Sequence, residues 1–189
     1  LVPALRELKK LTKLKAISYK LGGHDLADFQ KADLIIRAPN APLDSVYLKE
    51  ARKNKIEIEQ DASLFCKLAP VGVKIIGITG TRGKSTVTHL LYEILKKSGQ
   101  RVYLAGNVRG TATLPLLKKI KVGDYVVMEL DSWQLQSFTT FSPHLAVFTA
   151  FMNDHQNYYK NSMERYFADK ANIFKYQNKD GILIVGSQM

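Results

Sequence analysis

"GITGTRGKST", residues 77–86, follows the apolar run "VKII" and precedes Val87, Leu90, Leu91, Ile94 and Leu95, an apolar stripe at helical spacing. A buried strand, a glycine-rich turn and an amphipathic helix, in that order, put free backbone N–H groups at a helix start, where the dipole favours phosphate oxygens. Lys84 then reaches the outer phosphates of a nucleotide, and the Ser85 hydroxyl is placed to ligate magnesium. The common phosphate-loop pattern has glycine six places before the lysine, whereas here Ile78 holds that place and Gly80 supplies the turn. The expected cradle is the backbone of Gly80, Thr81, Arg82, Gly83, Lys84, Ser85 and Thr86.

Outward from the loop, strand and helix patterns alternate. "RVYLAG", "DYVVMEL", "HLAVFTAF" and "GILIVG" read as strands, and "TATLPLLKKI" and "SMERYFADKANIFKYQ" as helices. Upstream, "LKAISY", "ADLIIRAP" and "IEIEQ" read as strands. "DSVYLKEARKNK", capped by Asp44 or Ser45, and "DASLFCKLA" read as helices. This is α/β wiring with a mostly parallel sheet, and the break at Pro70 and Gly72 divides residues 1–69 from 70–189. Ligands in such sheets bind at the carboxyl ends of the strands.

Composition narrows the class. The 189 residues are 46% apolar, enough for a core, and no apolar run approaches the roughly 18 residues of a membrane span. Cys66 has no second cysteine to pair with and reads as a small buried apolar residue of a cytoplasmic protein. The net charge of +11 raises phosphorylated ligands, membranes and nucleic acid as partners, but the lysines are spread over helix faces and ends, which favours a solvated surface over a nucleic-acid groove. The chain opens on Leu1 and closes just after an apolar strand, and reads as a segment of something longer.

A magnesium nucleotide calls for a carboxylate at the end of a neighbouring strand, and Glu129 ends "DYVVMEL", with Asp131 two residues on. Asp131 reads equally as a metal ligand or a solvated loop acid. Asp154 and His155 follow "HLAVFTAF", where the histidine can ligate a second metal with the carboxylate orienting it. Lys170 falls on the apolar face marked by Met163, Tyr166, Phe167, Ile173 and Phe174, so it either snorkels to water or is buried with a depressed pKa.

Taken together these stretches resemble the Mur ligase family of ATP-dependent amide ligases. "GITGTRGKST" is similar to the family's TGTNGKST loop, "GNVRG" to GGNIG, "ELDSWQLQ" to ELSSFQLE, and "NDH" to EDH. "YFADKANIF" is similar to the helix carrying the family's modified lysine, and "APNAPLDSVYLKEARKNKIEI" to a segment of the first domain. The resemblance runs over nearly the whole chain. It implies a partial Rossmann-like domain for the UDP substrate over 1–69 and a truncated P-loop ATPase domain over 70–189. It further implies ATP and two magnesium ions as cofactors, the first ion on Ser85 and Glu129, the second placed by His155, with Lys170 carbamylated by CO2 and Asn107 near the reacting carboxylate. The implied reaction adds D-glutamate to UDP-N-acetylmuramoyl-L-alanine through an acyl phosphate, as a monomer. The other readings are a different ligase of the superfamily, folylpolyglutamate synthases included, or a non-catalytic nucleotide-binding module. Arg82 stands where the family has asparagine and Asp131 where it has serine. A segment lacking the uridine-gripping turn and the third domain is expected not to turn over alone.

Overall fold

The computed structural model describes Ser18 and residues 20–187, so the expected strand "LKAISY" lies, but for Ser18, outside the described residues. The described chain forms two compact units: one runs to Ile35 and includes Pro42–Glu57, and the other comprises Ile36–Ala41 and the chain from Ile58 on.

In the first unit, helices α1 (Asp28–Lys31) and α2 (Val46–Lys53) lie beside an aromatic cluster of His24, Phe29 and Tyr47. Of the two candidate caps Ser45 is the one used, its hydroxyl accepting the Leu48 N–H at 3.2 Å. Strands β1 (Leu34–Ile36) and β2 (Glu57–Glu59) pair as a two-stranded sheet.

The second unit is built on five parallel strands. After α3 (Asp61–Leu68) come β3 (Lys74–Thr79), α4 (Lys84–Lys97), β4 (Val102–Gly106), a 3-10 turn (Leu114–Lys118) and β5 (Tyr125–Glu129). The one-turn helix α5 (Ser132–Leu135), β6 (Leu145–Phe148), the one-turn α6 (Gln156–Tyr159), α7 (Met163–Lys175) and β7 (Ile182–Val185) complete it. The sheet order is β4-β5-β3-β6-β7. The central strand β3 thus pairs with β5 and β6, Ile78 opposite Glu129 and Thr79 opposite Phe148, so three strand ends open side by side.

Strand alternation divides the core. Ile76, Ile78 and Val127 face Val87, Leu91 and Leu95 of α4. Ile75, Val126, Met128 and Ala146 face the other way, onto Phe65 and Cys66 of α3, Leu135, Phe138, and Ile173 of α7. Each such side chain fully buried stabilises the fold by about 1.5–3 kcal/mol. Cys66 is buried with its sulfur 3.7 Å from that of Met128, and burial pushes its thiol pKa up. The segment expected as a helix over 111–120 is only the 3-10 turn: Pro115 offers no N–H, and Thr113 is tied to β4 by its hydroxyl, which accepts the Gly106 N–H at 3.0 Å. Among the described residues no helix is long and apolar enough to cross a membrane.

β4 ends in a close approach. Gly106 has φ 76°, and a Cβ there would lie 2.1 Å from the carbonyl oxygen of Glu129, which also accepts the Asn107 N–H at 2.8 Å. Gly106→Ala is expected to lower the unfolding free energy by about 2 kcal/mol or more, seen as a lower urea midpoint; an unchanged midpoint contradicts this packing.

Candidate functional site

The loop after β3 is shaped by Gly80 and Gly83. Gly80 sits at φ 145°, and a Cβ would lie 2.0 Å from the Thr149 hydroxyl at the end of β6. Gly83, at φ 83°, is the N-cap of α4. The N–H groups of Lys84, Ser85 and Thr86 open that helix and have no intrahelical acceptor, which makes this end a binding place for anions. Ile78, where the common pattern has glycine, is a fully buried residue of β3, so the loop starts two residues later.

The loop is tied down from one side. The Thr81 N–H donates to the Ala150 carbonyl at 2.7 Å; its hydroxyl accepts the Met152 N–H at 3.0 Å and lies 3.2 Å from the Tyr166 hydroxyl. Thr81 therefore turns both its side chain and its N–H inward, and its N–H is already committed to Ala150. Thr149 donates its hydroxyl to the Arg82 carbonyl at 2.5 Å. Arg82, Ser85 and Thr86 are exposed, and Lys84 folds over the loop, donating to the carbonyls of Gly80 and Thr81 at 3.0 and 3.2 Å.

Lys170 does not snorkel. It is 1% exposed, donates to the Gly80 carbonyl at 2.8 Å, and lies 4.9 Å from the centre of the Tyr166 ring. Burial pulls its pKa down to about 7 and Lys84 pushes the same way, while Asp131, Asp154 and Asp169 hold it up. A buried amine that is half neutral near pH 7 is a nucleophile at that pH.

The acids divide by role. Glu129 is 4% exposed at the end of β5, and neither carboxylate oxygen has a partner among the described residues. Asp131 caps α5: its carboxylate accepts the Gln134 N–H at 2.8 Å, and the Gln134 side chain accepts the Asp131 N–H. His155 stands at φ 53° before α6, its imidazole 3.8 Å from the Asp154 carboxylate and packed against Trp133 with ring centres 4.7 Å apart and the rings inclined at 59°. Asn107 lies past β4, exposed, lining a cavity of about 390 Å³ with Arg37, Asp61 and Gln134. Among the described residues no three His, Cys, Asp or Glu side chains converge as a ready metal cluster.

The sequence model of the Mur ligase middle domain matches residues 78–189, more than half of the chain. The chain belongs to the Mur ligase family. It is 43% identical over 169 residues to a UDP-N-acetylmuramoylalanine--D-glutamate ligase of Borreliella afzelii (strain PKo), covering 89% of this chain and 36% of that protein. The like-named protein of Clostridium acetobutylicum is 35% identical over 169 residues, with the same coverage of 89% and 36%. The chain thus spans little more than a third of these relatives' length. The crystal structure of UDP-N-acetylmuramate:L-alanyl-gamma-D-glutamyl-meso-diaminopimelate ligase from Neisseria meningitides superposes with a TM-score of 0.59 at 16% identity, over 96% of this chain and 60% of that one, which shows the shared fold.

In this Mur ligase middle domain several residues shape the site in ways the motifs did not signal. Thr149 and Tyr166 fix the loop through hydroxyls, and their spacing carries no signal of it. Asp169 is buried beside Lys170 and held by Gln136 Nε2 at 2.7 Å and the Tyr159 hydroxyl at 2.9 Å, and burial raises its pKa.

Two outcomes follow from the geometry. Asp131→Ala should cost about 1 kcal/mol of stability and Asp131→Ser much less, because serine also caps a helix; equal losses in urea titrations would remove the capping role. Between the folded Lys170 pKa of about 7 and its unfolded value of 10.5, the unfolded chain binds more protons, so stability of the metal-free chain rises with pH across that window. Lys170→Met should reduce that slope by up to about 1.4 kcal/mol per pH unit, and an unchanged slope would contradict the buried amine.

Proposed function

We propose that this chain is the ATP-handling part of a ligase that joins D-glutamate to UDP-N-acetylmuramoyl-L-alanine in peptidoglycan precursor synthesis. The observation that carries it is the meeting of Lys84 and the buried Lys170 on one loop carbonyl, that of Gly80, at the open ends of β3, β5 and β6. The names of the relatives support the choice of substrates. Residues 1–69 are assigned to the domain for the UDP end of the substrate and 70–189 to the ATP-binding domain, although Ile36–Ala41 and Ile58 onward belong to the second compact unit. Such a protein works in the cytoplasm, where ATP and UDP-sugars are supplied, and as a monomer.

The phosphates of ATP are assigned to the backbone from Gly80 to Thr86, apart from the Thr81 N–H that Ala150 holds, with Lys84 on the outer phosphates. The donor set suits magnesium: a hydroxyl at Ser85 and, at Glu129, a buried carboxylate with no partner among the described residues would hold it. A second magnesium is assigned to His155 and to Lys170, whose neutral amine is able to take up CO2 as a carbamate and so present a carboxylate. Magnesium, when bound, neutralises charge on the phosphoryl oxygens.

The reaction then has two transfers. The carboxylate of UDP-N-acetylmuramoyl-L-alanine, placed by Asn107, attacks the γ-phosphorus of ATP in line, giving an acyl phosphate and ADP. The amine of D-glutamate attacks the acyl carbon, phosphate leaves with the C–O electron pair, and the amine's proton passes to solvent or base. The protein's share is positioning and charge neutralisation by Lys84 and the loop N–H groups.

The test is phosphate release by the gene product that carries this chain, given ATP, magnesium, UDP-N-acetylmuramoyl-L-alanine and D-glutamate, with each omitted in turn. Release that needs all four is the expected result. Release with another acceptor amino acid instead would move the protein elsewhere in the family, and ATP binding without any release would make it a non-catalytic module.

A further inference from the structure

The imidazole of His155 is poorly fixed by polar contacts. Among the described residues no hydrogen bond reaches either ring nitrogen, and its nearest charged neighbour, Asp154, is 3.8 Å away. Its backbone sits in the left-handed region at φ 53°, an uncommon conformation for a residue other than glycine. What meets the ring is aromatic: Trp133 at 4.7 Å between centres and Tyr166 edge-on at 5.7 Å.

Trp133 in turn lacks a polar anchor on its ring. The indole N–H is buried without an acceptor among the described residues. Trp133 belongs to α5, a single turn of four residues, too short to be stable by itself. Its carbonyl, however, receives two donors from distant parts of the chain: Gln60 Nε2 at 2.7 Å and Arg37 Nη2 at 3.2 Å. Both are buried, Gln60 at 0% and Arg37 at 5% exposure. Gln60 Nε2 also lies 3.0 Å from the Ser137 hydroxyl. Arg37 Nη2 reaches Gln136 Oε1 at 3.0 Å, while its Nη1 binds the Pro39 and Ala41 carbonyls at 3.0 and 3.3 Å.

We propose that Arg37 and Gln60 are positioning residues for His155, acting through the carbonyl of Trp133 and the contact of its indole with the imidazole. A charged donor and a neutral one on a single carbonyl fix the tilt of the short helix, and the tilt sets where the indole meets the imidazole. Arg37 also lines the cavity beside Asn107, so the staple joins the wall of that cavity to the histidine. The staple's importance for turnover rests on the ligase reading of His155, but its geometry does not.

Trp133 is the chain's single tryptophan, which gives one indole signal in a proton NMR spectrum. A cross-peak between the Trp133 indole and the His155 ring is expected in the 189-residue chain. It should be lost in Arg37→Lys, which keeps the charge but not the fork, and in Gln60→Met, which keeps the volume but not the donor, while far-UV circular dichroism stays unchanged. In the active gene product, Arg37→Lys should lower kcat about 10-fold with KM for ATP nearly unchanged, and should have no further effect in a His155→Ala background. An intact cross-peak in Arg37→Lys, or an Arg37→Lys loss of the same size with and without His155, would overturn the proposal. The NMR arm needs no ATP and no substrate. Loss of the cross-peak in a protein that never turns over would leave the staple standing and sink the ligase reading alone.

Discussion

The site is organised around one residue without a side chain. Gly80 ends the central strand at φ 145°, and the Thr149 hydroxyl of the neighbouring strand occupies the place its Cβ would take. Because the backbone passes there, its carbonyl faces inward and accepts both Lys84 and Lys170, one from the helix that follows the loop and one from α7. Burial disfavours the charged form of a lysine there, and the second ammonium on the same carbonyl pushes the same way, so one of them gives up charge readily. Lys170, the more deeply buried, is the one whose pKa falls to about 7.

Around that point the protein sets acids in graded environments. Glu129 is buried and without a side-chain partner among the described residues, Asp131 is committed to a helix cap, and Asp169 is buried and held by Gln136 and Tyr159. The departure at Asp131 thus has a local explanation: the aspartate caps α5, as the family's serine is also able to do. Its charge still acts on Lys170, against burial. Arg37 extends the same economy, as its guanidinium satisfies carbonyls of its own segment and of α5 at once.

Much of this was legible in residues 70–189. Strand β3, the loop and α4 followed from a buried run, two glycines and an apolar stripe, because burial and helix periodicity are local patterns. The position of Lys170 on an apolar face was also legible, though whether it snorkels depends on Tyr166, Thr79 and the Gly80 carbonyl, which sequence separates by up to 91 residues. The one-turn helices α5 and α6 and the 3-10 turn at 114–118 were not legible as such, since they are too short for periodicity and exist through capping and distant donors. Gln60 read as the polar end of a strand. Nothing in its neighbourhood signals that it donates to Trp133, 73 residues on.

The central claim is that the backbone after β3 is a phosphate cradle whose charge is supplied by Lys84. The most direct test is calorimetric titration of magnesium-ATP into the gene product and its Lys84→Ala variant, with circular dichroism to confirm that both are folded. The account predicts binding to the parent and a loss of about 10-fold or more in the variant, the size of a charge-assisted contact. Equal affinity in the two proteins would contradict it, and the loop would then be only a glycine turn between a strand and a helix.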